Sequence, residues 1–353
     1  MTSTRDLALL RVVAQRLVGP RPATPLDAVR WLGATQAQNL PGALISIALR
    51  VDGGTRTGVE DALDAGEVVR SWPMRGTLHL VPAADLRWML DLAAPRIVAG
   101  LATRRAQLGI DDAVLTRARE LAAAALAGRA GLRRAELMAL WGEAGLLAEA
   151  QTGYHLLFHL CQEGTFVLGP MRGTEQAIVL VEEWVPRPRR LEREEALGEW
   201  ALRYFRSHGP ATLKDFARWT NLTMADARAG IAVARPELGA VETDGVEYLL
   251  DPAARDLLAQ HRTQARGVLL LPGFDELMLG YADRSAALPV VFADRIVPGG
   301  NGVFQPTVVS GGRVVGTWRR LGRGAKQTIE AVPFTTFSSR VEAGIRRRFA
   351  ALP

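Results

Sequence analysis

The chain carries one cysteine, Cys161, so no internal disulfide can form and a zinc site built on cysteines is excluded. A lone thiol fits a reducing compartment, and a cytoplasmic, nucleoid-associated location is the expectation. Long apolar runs are also missing. No stretch reaches the roughly 18 apolar residues that a membrane-spanning helix needs, and no membrane partner is expected. The first segment, MTSTRDLALLRVVAQRL, interleaves charges with its apolar residues and reads as an amphipathic helix rather than a secretion signal. Lysine is nearly absent, with only Lys214 and Lys326 among 43 basic residues.

What is present is a chain of 353 residues, 48% hydrophobic, with a net charge of +6. That length implies two or three domains, and the apolar content is enough for a sizeable core. The basic balance suits a polyanion such as nucleic acid, and arginine forks phosphates and guanine edges in a bidentate way. A GC-rich coding bias accounts for most of the arginine excess equally well.

An internal repeat organises the first two thirds of the chain. Residues 22–31 read PATPLDAVRW and residues 210–219 read PATLKDFARW. In both copies a threonine, Thr24 or Thr212, is placed to cap a helix with an acid in its first turn. Apolar residues follow at helical spacing: Leu26, Val29 and Trp31 in one copy, Leu213, Phe216 and Trp219 in the other. A weaker third copy, GLRRAELMALW at 131–141, puts Glu136 at the acidic position. Each copy follows an amphipathic helix (5–18, 112–127, 193–207) and precedes another (38–50, 151–163, 223–234). Extended segments come next, at 68–81, 165–182 and 240–250. Helix, helix, helix, β-hairpin is the order of a winged-helix unit.

The last hundred residues change character. Short β-rich stretches such as GVLLLPGFDELMLGY and GVFQPTVVSGGRVVGTWRRL, separated by glycine, proline and aspartate turns, predict a small antiparallel sheet or barrel. A closing helix is expected over 337–352, capped by Ser338 or Ser339. The best linker candidate is VPRPRRLERE at 185–194. The expected fold is α+β, mainly α: winged-helix unit 1 over 1–95, unit 2 over 96–185, unit 3 over 186–252, and a C-terminal β-rich, barrel-like domain over 253–353.

Candidate site residues are few. Gln36 and Gln38 form a Gln-x-Gln pair in WLGATQAQNLPGALIS at 31–46, where Gly33, Asn39 and Pro41 fit a tight connection between helices. By spacing alone, such glutamines solvate a loop or touch phosphate. His155 and His159 stand i, i+4 on a helix, but the zincin glutamate is missing, and packing or a phosphate contact is the simpler reading. Trp31, Trp141 and Trp219 read as core. The glycine-rich segments at 297–302 and 310–316 lack a following Lys-Ser/Thr and read as turns. Asp275 and Glu276, with Asp283 nearby, are a competing carboxylate site. On a strand, neighbours point to opposite faces, so at most one of the adjacent pair would reach a site, and an ion pair with Arg284 or Arg319, or a turn bond, is the plainer expectation for these acids.

The segments LGATQAQN, SWPMRGTLHLV at 71–81, LLPGFDELMLGYADRS at 270–285, and NGVFQPTVV with GTWRR across 301–320 resemble the AlkZ-like DNA glycosylase family, which includes the YcaQ-type enzymes. The likeness runs from about residue 5 to 345, with segments in the family's order. It implies three winged-helix units and a β-barrel-like region, C-shaped around duplex DNA. It also implies hydrolysis of the N-glycosidic bond of N7-alkylated purines, including bulky adducts and interstrand crosslinks, as base excision repair or as self-resistance to a DNA-alkylating natural product. The family motif is Gln-x-Gln in the AlkZ branch and Gln-x-Asp in the YcaQ branch. Gln36-Ala37-Gln38 matches the former, so the resemblance implies that Gln36 and Gln38 are the catalytic pair.

Amides suit that chemistry. N7 alkylation puts a positive charge on the purine, so the base leaves without a strong general acid. A glutamine carbonyl can hold the attacking water while its amide donates to sugar or phosphate oxygens. No lysine lies near the motif for a Schiff base, so monofunctional action without a metal or organic cofactor is expected. Arg75 and His79, on the first wing, and Arg284, Arg319, Arg320 and Lys326, in the C-terminal region, are the candidate DNA contacts. A monomer is expected. The alternatives are a non-catalytic winged-helix regulator and, further off, a metal nuclease on Asp275, Glu276 and Asp283.

Overall fold

The computed structural model describes residues 3–128, 131–322 and 324–353. The fold is α+β with about half of the residues helical, and the described chain forms two compact units. The first is discontinuous, Met1–Val59 with Leu197–Pro353, and the second is Glu60–Ala196. Among the described residues, no helix is long and apolar enough to cross a membrane.

In the first unit the repeat's caps form as their sequences dictate. Thr24 accepts from the Asp27 N–H at the start of helix Pro25–Leu32, and Thr212 accepts from the Asp215 N–H at the start of helix Leu213–Thr220. Asp215 returns the bond to the Thr212 N–H, so two otherwise orphaned donors are satisfied together. Gly33, with φ of 80°, ends the earlier helix in a conformation that a side chain disfavours. Helices Met224–Ala234 and Ala254–Ala265 flank the hairpin Gly239–Thr243/Val246–Leu250. Helix Leu213–Thr220 buries Phe216 and Trp219 against Tyr204 and Phe205, in an aromatic cluster with centroid separations of 5.0–5.5 Å. Trp141 is fully buried in the second unit, whereas Trp31 is only half-buried and donates its indole N–H to the Ala14 carbonyl.

The C-terminal β region is an open antiparallel sheet, not a barrel. Strands Val268–Leu271, Thr307–Ser310, Arg313–Leu321 and Thr328–Pro333 lie side by side in chain order. Alternation along Val268–Leu271 explains why it need not close. Leu269 and Leu271 pack into the main core with Leu9, Val12 and Val309, while Val268 and Leu270 pack with Val308, Trp318 and Ile345. Ile345 belongs to the closing helix Ser339–Ala350, capped by Ser338. That helix covers the second face, and Arg348 donates to the Val268 carbonyl on the edge strand. An edge protected in this way has no need of a partner strand.

The second unit holds two hairpins, Val68–Met74/Thr77–Pro82 and Phe166–Arg172/Glu175–Leu180, joined through Arg70 and Leu168. Helices Leu86–Gly100, Ala102–Gln107, Asp112–Leu126, Arg134–Glu143, Thr152–Gln162 and the short Val181–Trp184 pack with them. Its core sets Trp72 edge-on to Phe158 at 5.5 Å, with Trp141 and Phe166 fully buried in the same cluster. Of the stretch 185–194, residues 185–192 are neither helix nor strand, and Arg189 is tied to Asp85 at 2.7 Å.

Two helical glycines should respond in opposite ways. A Cβ at Gly230 would stand 2.5 Å from the Leu197 carbonyl oxygen, whereas a Cβ at Gly100 meets nothing within 4 Å. Gly100→Ala is expected to raise stability by about 0.5–1 kcal/mol through reduced unfolded-state freedom, and Gly230→Ala to lower it by at least as much. Urea unfolding of the two variants beside wild type checks both signs.

Candidate active site

The Gln-x-Gln segment is held at both ends. Thr35 and Gln36 form a short extended stretch, and Asn39 caps helix Leu40–Ala48 by accepting from the Gly42 N–H. Between these anchors Ala37 is fully buried, Gln36 is 8% exposed, and Gln38 is exposed.

The anchors trace to two adjacent acids. Phe274 has φ of 62°, which turns the chain sharply after strand Val268–Leu271. Asp275 then caps the single-turn helix Glu276–Leu279, so both acids sit at a helix start rather than on a strand, and both point inward. Their partners are not Arg284 or Arg319. Asp275 meets Arg50 through two parallel bonds of 2.8 and 2.9 Å and accepts from the Ser46 hydroxyl at 2.7 Å. Arg50 and Asp275 are each 1% exposed. Glu276 accepts the Gln36 backbone N–H on Oε1 at 2.9 Å and the Trp219 indole N–H on Oε2 at 2.9 Å. His208 Nε2 lies 3.4 Å from the same Oε2. Asp275 therefore fixes the helix that follows the motif, and Glu276 fixes the motif's first residue. Asp283 accepts from the Ser285 N–H instead, so the three carboxylates do not converge. Nothing in the composition marks this arrangement, since Glu276 lies 240 positions from Gln36 and Asp275 lies 225 from Arg50.

His208 is buried and stacked on Tyr204 at 4.8 Å. Burial pushes its imidazole below the ordinary value of 6.5, outweighing the pull of Glu276 in the other direction. Its Nδ1 lies 2.8 Å from the Ser207 hydroxyl, which itself donates to the Arg203 carbonyl.

The expected DNA contacts fall in varied surroundings. Arg284 lies in the first unit, donates to the Met278 carbonyl, and sits over the Phe304 ring at 5.0 Å. Arg319 is 70% exposed and pairs with Glu330, its cross-strand neighbour. Arg320 donates to Gln327, and burial together with Arg56 lowers its guanidinium pKa. Lys326 is exposed in the turn Gly324–Lys326. In the second unit, Arg75 occupies the two-residue hairpin turn with φ of 56°, and its guanidinium reaches His79 Nε2 at 3.0 Å. The His79 ring is fully buried and its Nδ1 lies 2.8 Å from the Thr77 carbonyl, so it buttresses Arg75 from within the hairpin. His159 lies 3.1 Å from Glu163.

A family model described as DNA glycosylase AlkZ-like matches residues 29–352. The chain belongs to the AlkZ-like DNA glycosylase family. It is 28% identical over 343 residues to the interstrand DNA cross-link repair glycosylase of Streptomyces sahachiroi, covering 90% of this chain and 87% of that one. The solved structure of the DNA glycosylase AlkZ from Streptomyces sahachiroi superposes with a TM-score of 0.79 at 24% identity, covering 99% of this chain and 95% of that one. In this member of the family, the matched span includes both glutamines and both anchoring acids.

Two predictions follow from the anchors. Asp275→Ala strands a buried guanidinium, and a loss of about 3–5 kcal/mol is expected by denaturant unfolding. His208 supplies a pH dependence. The unfolded chain takes up this proton near pH 6.5 and the folded chain resists it, so the contribution is full above that value. It is lost as pH falls through the lowered folded value. His155 shifts the same way by burial. The His208 share is therefore the difference in acid slope between wild type and His208→Gln, and wild type should be steeper.

Proposed function

We propose that this chain is a monofunctional DNA glycosylase that hydrolyses the N-glycosidic bond of N7-alkylated purines in duplex DNA, bulky adducts and interstrand crosslinks included. The observation that carries this reading is the Gln36-Ala37-Gln38 motif, anchored at both ends within a family match that runs almost the whole chain. The cross-link repair activity named for the Streptomyces sahachiroi relative supports the crosslink part of the substrate range. Self-resistance to a DNA-alkylating natural product is the biological setting proposed beside general base excision repair.

In this reading three helix–helix–helix–hairpin segments act as winged-helix units over 1–95, 96–185 and 186–252, with 253–353 as the C-terminal β-rich part, and the protein acts on the duplex as a monomer. The reaction asks little of acid–base chemistry, because the alkylated base leaves already activated. Gln38, exposed on a fixed turn, orients the water beneath the anomeric carbon, and Gln36 supports the developing positive sugar. An unmodified purine leaves poorly, so weak chemical assistance itself supplies selectivity.

Phosphates are held by Arg75, Arg284, Arg320 and Lys326. Arg75 is aimed by His79 rather than accompanied by it. Burial and the nearby Arg56 disfavour the Arg320 charge, and a bound phosphate would relieve that cost. Arg319 contributes less, because Glu330 already neutralises it.

Base release from duplex DNA carrying N7-alkylguanine, measured with EDTA present, tests the reading. Wild type should release free base, and the Gln36→Ala/Gln38→Ala variant should lose at least about 100-fold in rate while still binding DNA, since oriented groups of this kind contribute on that scale. Tight binding without release from methylated or bulky-adduct DNA by wild type would overturn the catalytic claim.

A further inference from the structure

We propose that Glu276 is the positioning residue of the Gln36–Gln38 motif, acting on base release through the Gln36 backbone. The inference rests on the reading of the two glutamines as the catalytic pair. Glu276 is fully buried, and a buried carboxylate is tolerated only when its oxygens are satisfied. Here one oxygen receives the main-chain N–H of Gln36 and the other receives the Trp219 indole, both at 2.9 Å. A carboxylate oxygen that receives a backbone amide of the motif fixes where the Gln36 main chain stands, and with it the position from which the Gln36 side chain starts.

Two features make the clamp directional. First, the adjacent Asp275 is locked to Arg50 and Ser46, so Glu276 cannot drift with its own short helix. Second, the other side of Oε2 faces His208, whose ring is wedged between Tyr204 and Trp219 with centroid separations of 4.8 and 5.0 Å. Glu276 is thus held from behind by packed aromatics, while its other oxygen receives a peptide N–H of the motif. Glutamine at 276 could keep an oxygen toward Gln36, but its NH2 would then face the Trp219 N–H, donor against donor. Aspartate would keep the charge and fall short by one methylene.

The test compares Glu276→Gln, Glu276→Asp and Trp219→Phe with wild type and with Gln36→Ala/Gln38→Ala. Base release is read as kcat and KM, and hydrogen exchange is read at the Gln36 amide. Glu276→Gln should lower kcat roughly 10- to 100-fold with KM for DNA unchanged, the scale of a small misplacement of oriented groups, and should speed exchange at Gln36. Glu276→Asp should recover part of both. Trp219→Phe disturbs the packing but leaves the Gln36 contact, and should keep most of kcat.

If Glu276→Gln leaves kcat and Gln36 exchange at wild-type values while the double glutamine variant is inactive, the positioning role is wrong and the glutamine reading stands. If the double glutamine variant releases base at the wild-type rate, the glutamine reading fails instead. Should no Glu276 variant fold, exchange in wild type decides: a Gln36 amide exchanging as fast as exposed turn amides overturns the clamp, and strong protection upholds it.

Discussion

The paired bonds between Arg50 and Asp275 are the contact on which the rest of the first unit depends. Both side chains are removed from water, which is costly for either ion alone. The cost is met by saturation. The Arg50 guanidinium also donates to the Gln15 and Ser46 carbonyls and to the Gln15 side-chain oxygen. Asp275 also accepts from Ser46 and from the Leu277 N–H. Such a pair adds little net stability over an apolar substitute. It does make every other register expensive, because slipping either partner strands a charge in the core.

From that pair a continuous set of hydrogen bonds runs to the motif. Gln15 donates to the Tyr281 hydroxyl, and Tyr281 donates to the His208 carbonyl. The His208 ring faces Glu276, and Glu276 accepts from Gln36. Burial raises the Tyr281 pKa, so its hydroxyl keeps its proton and remains a donor across the working range. Each member constrains the next, and low local dielectric strengthens a fully satisfied network. For the proposed reaction, which would rely on placement more than on strong acids or bases, a fully satisfied network behind the motif matters more than a shifted pKa within it.

Sequence reading reached the local parts of this arrangement and stopped at the distant ones. Thr24 with Asp27, Thr212 with Asp215, and Ser338 are capping signals written within a few residues, and the helices they start form where expected. The hairpins at 68–82, 166–180 and 239–250 follow from alternation and turns. The barrel expectation failed because strand count and alternation do not reveal that a terminal helix covers the second face. The acids at 275 and 276 were misplaced because LPGFDELMLGY is apolar enough to read as strand, while the turn at Phe274 rests on a backbone conformation that phenylalanine rarely adopts. His79 looked like a surface contact because a histidine beside a hairpin arginine has the composition of one. Only the fold shows it inside, holding the arginine.

The two glutamines, identical in formula, stand in different surroundings, and this bears on how the proposed reaction would divide between them. Gln36 is nearly buried on a clamped backbone, so its orientation is set before substrate arrives. A preorganised group incurs no reorganisation at the moment of bond breaking. Gln38 is exposed on the same segment, where a substrate can reach it. In the proposed reaction Gln36 would supply a preset dipole from the protein side and Gln38 the contact made from the solvent side. Selectivity would then rest on the activated leaving group, because two amides offer an unmodified purine no strong acid to help it leave.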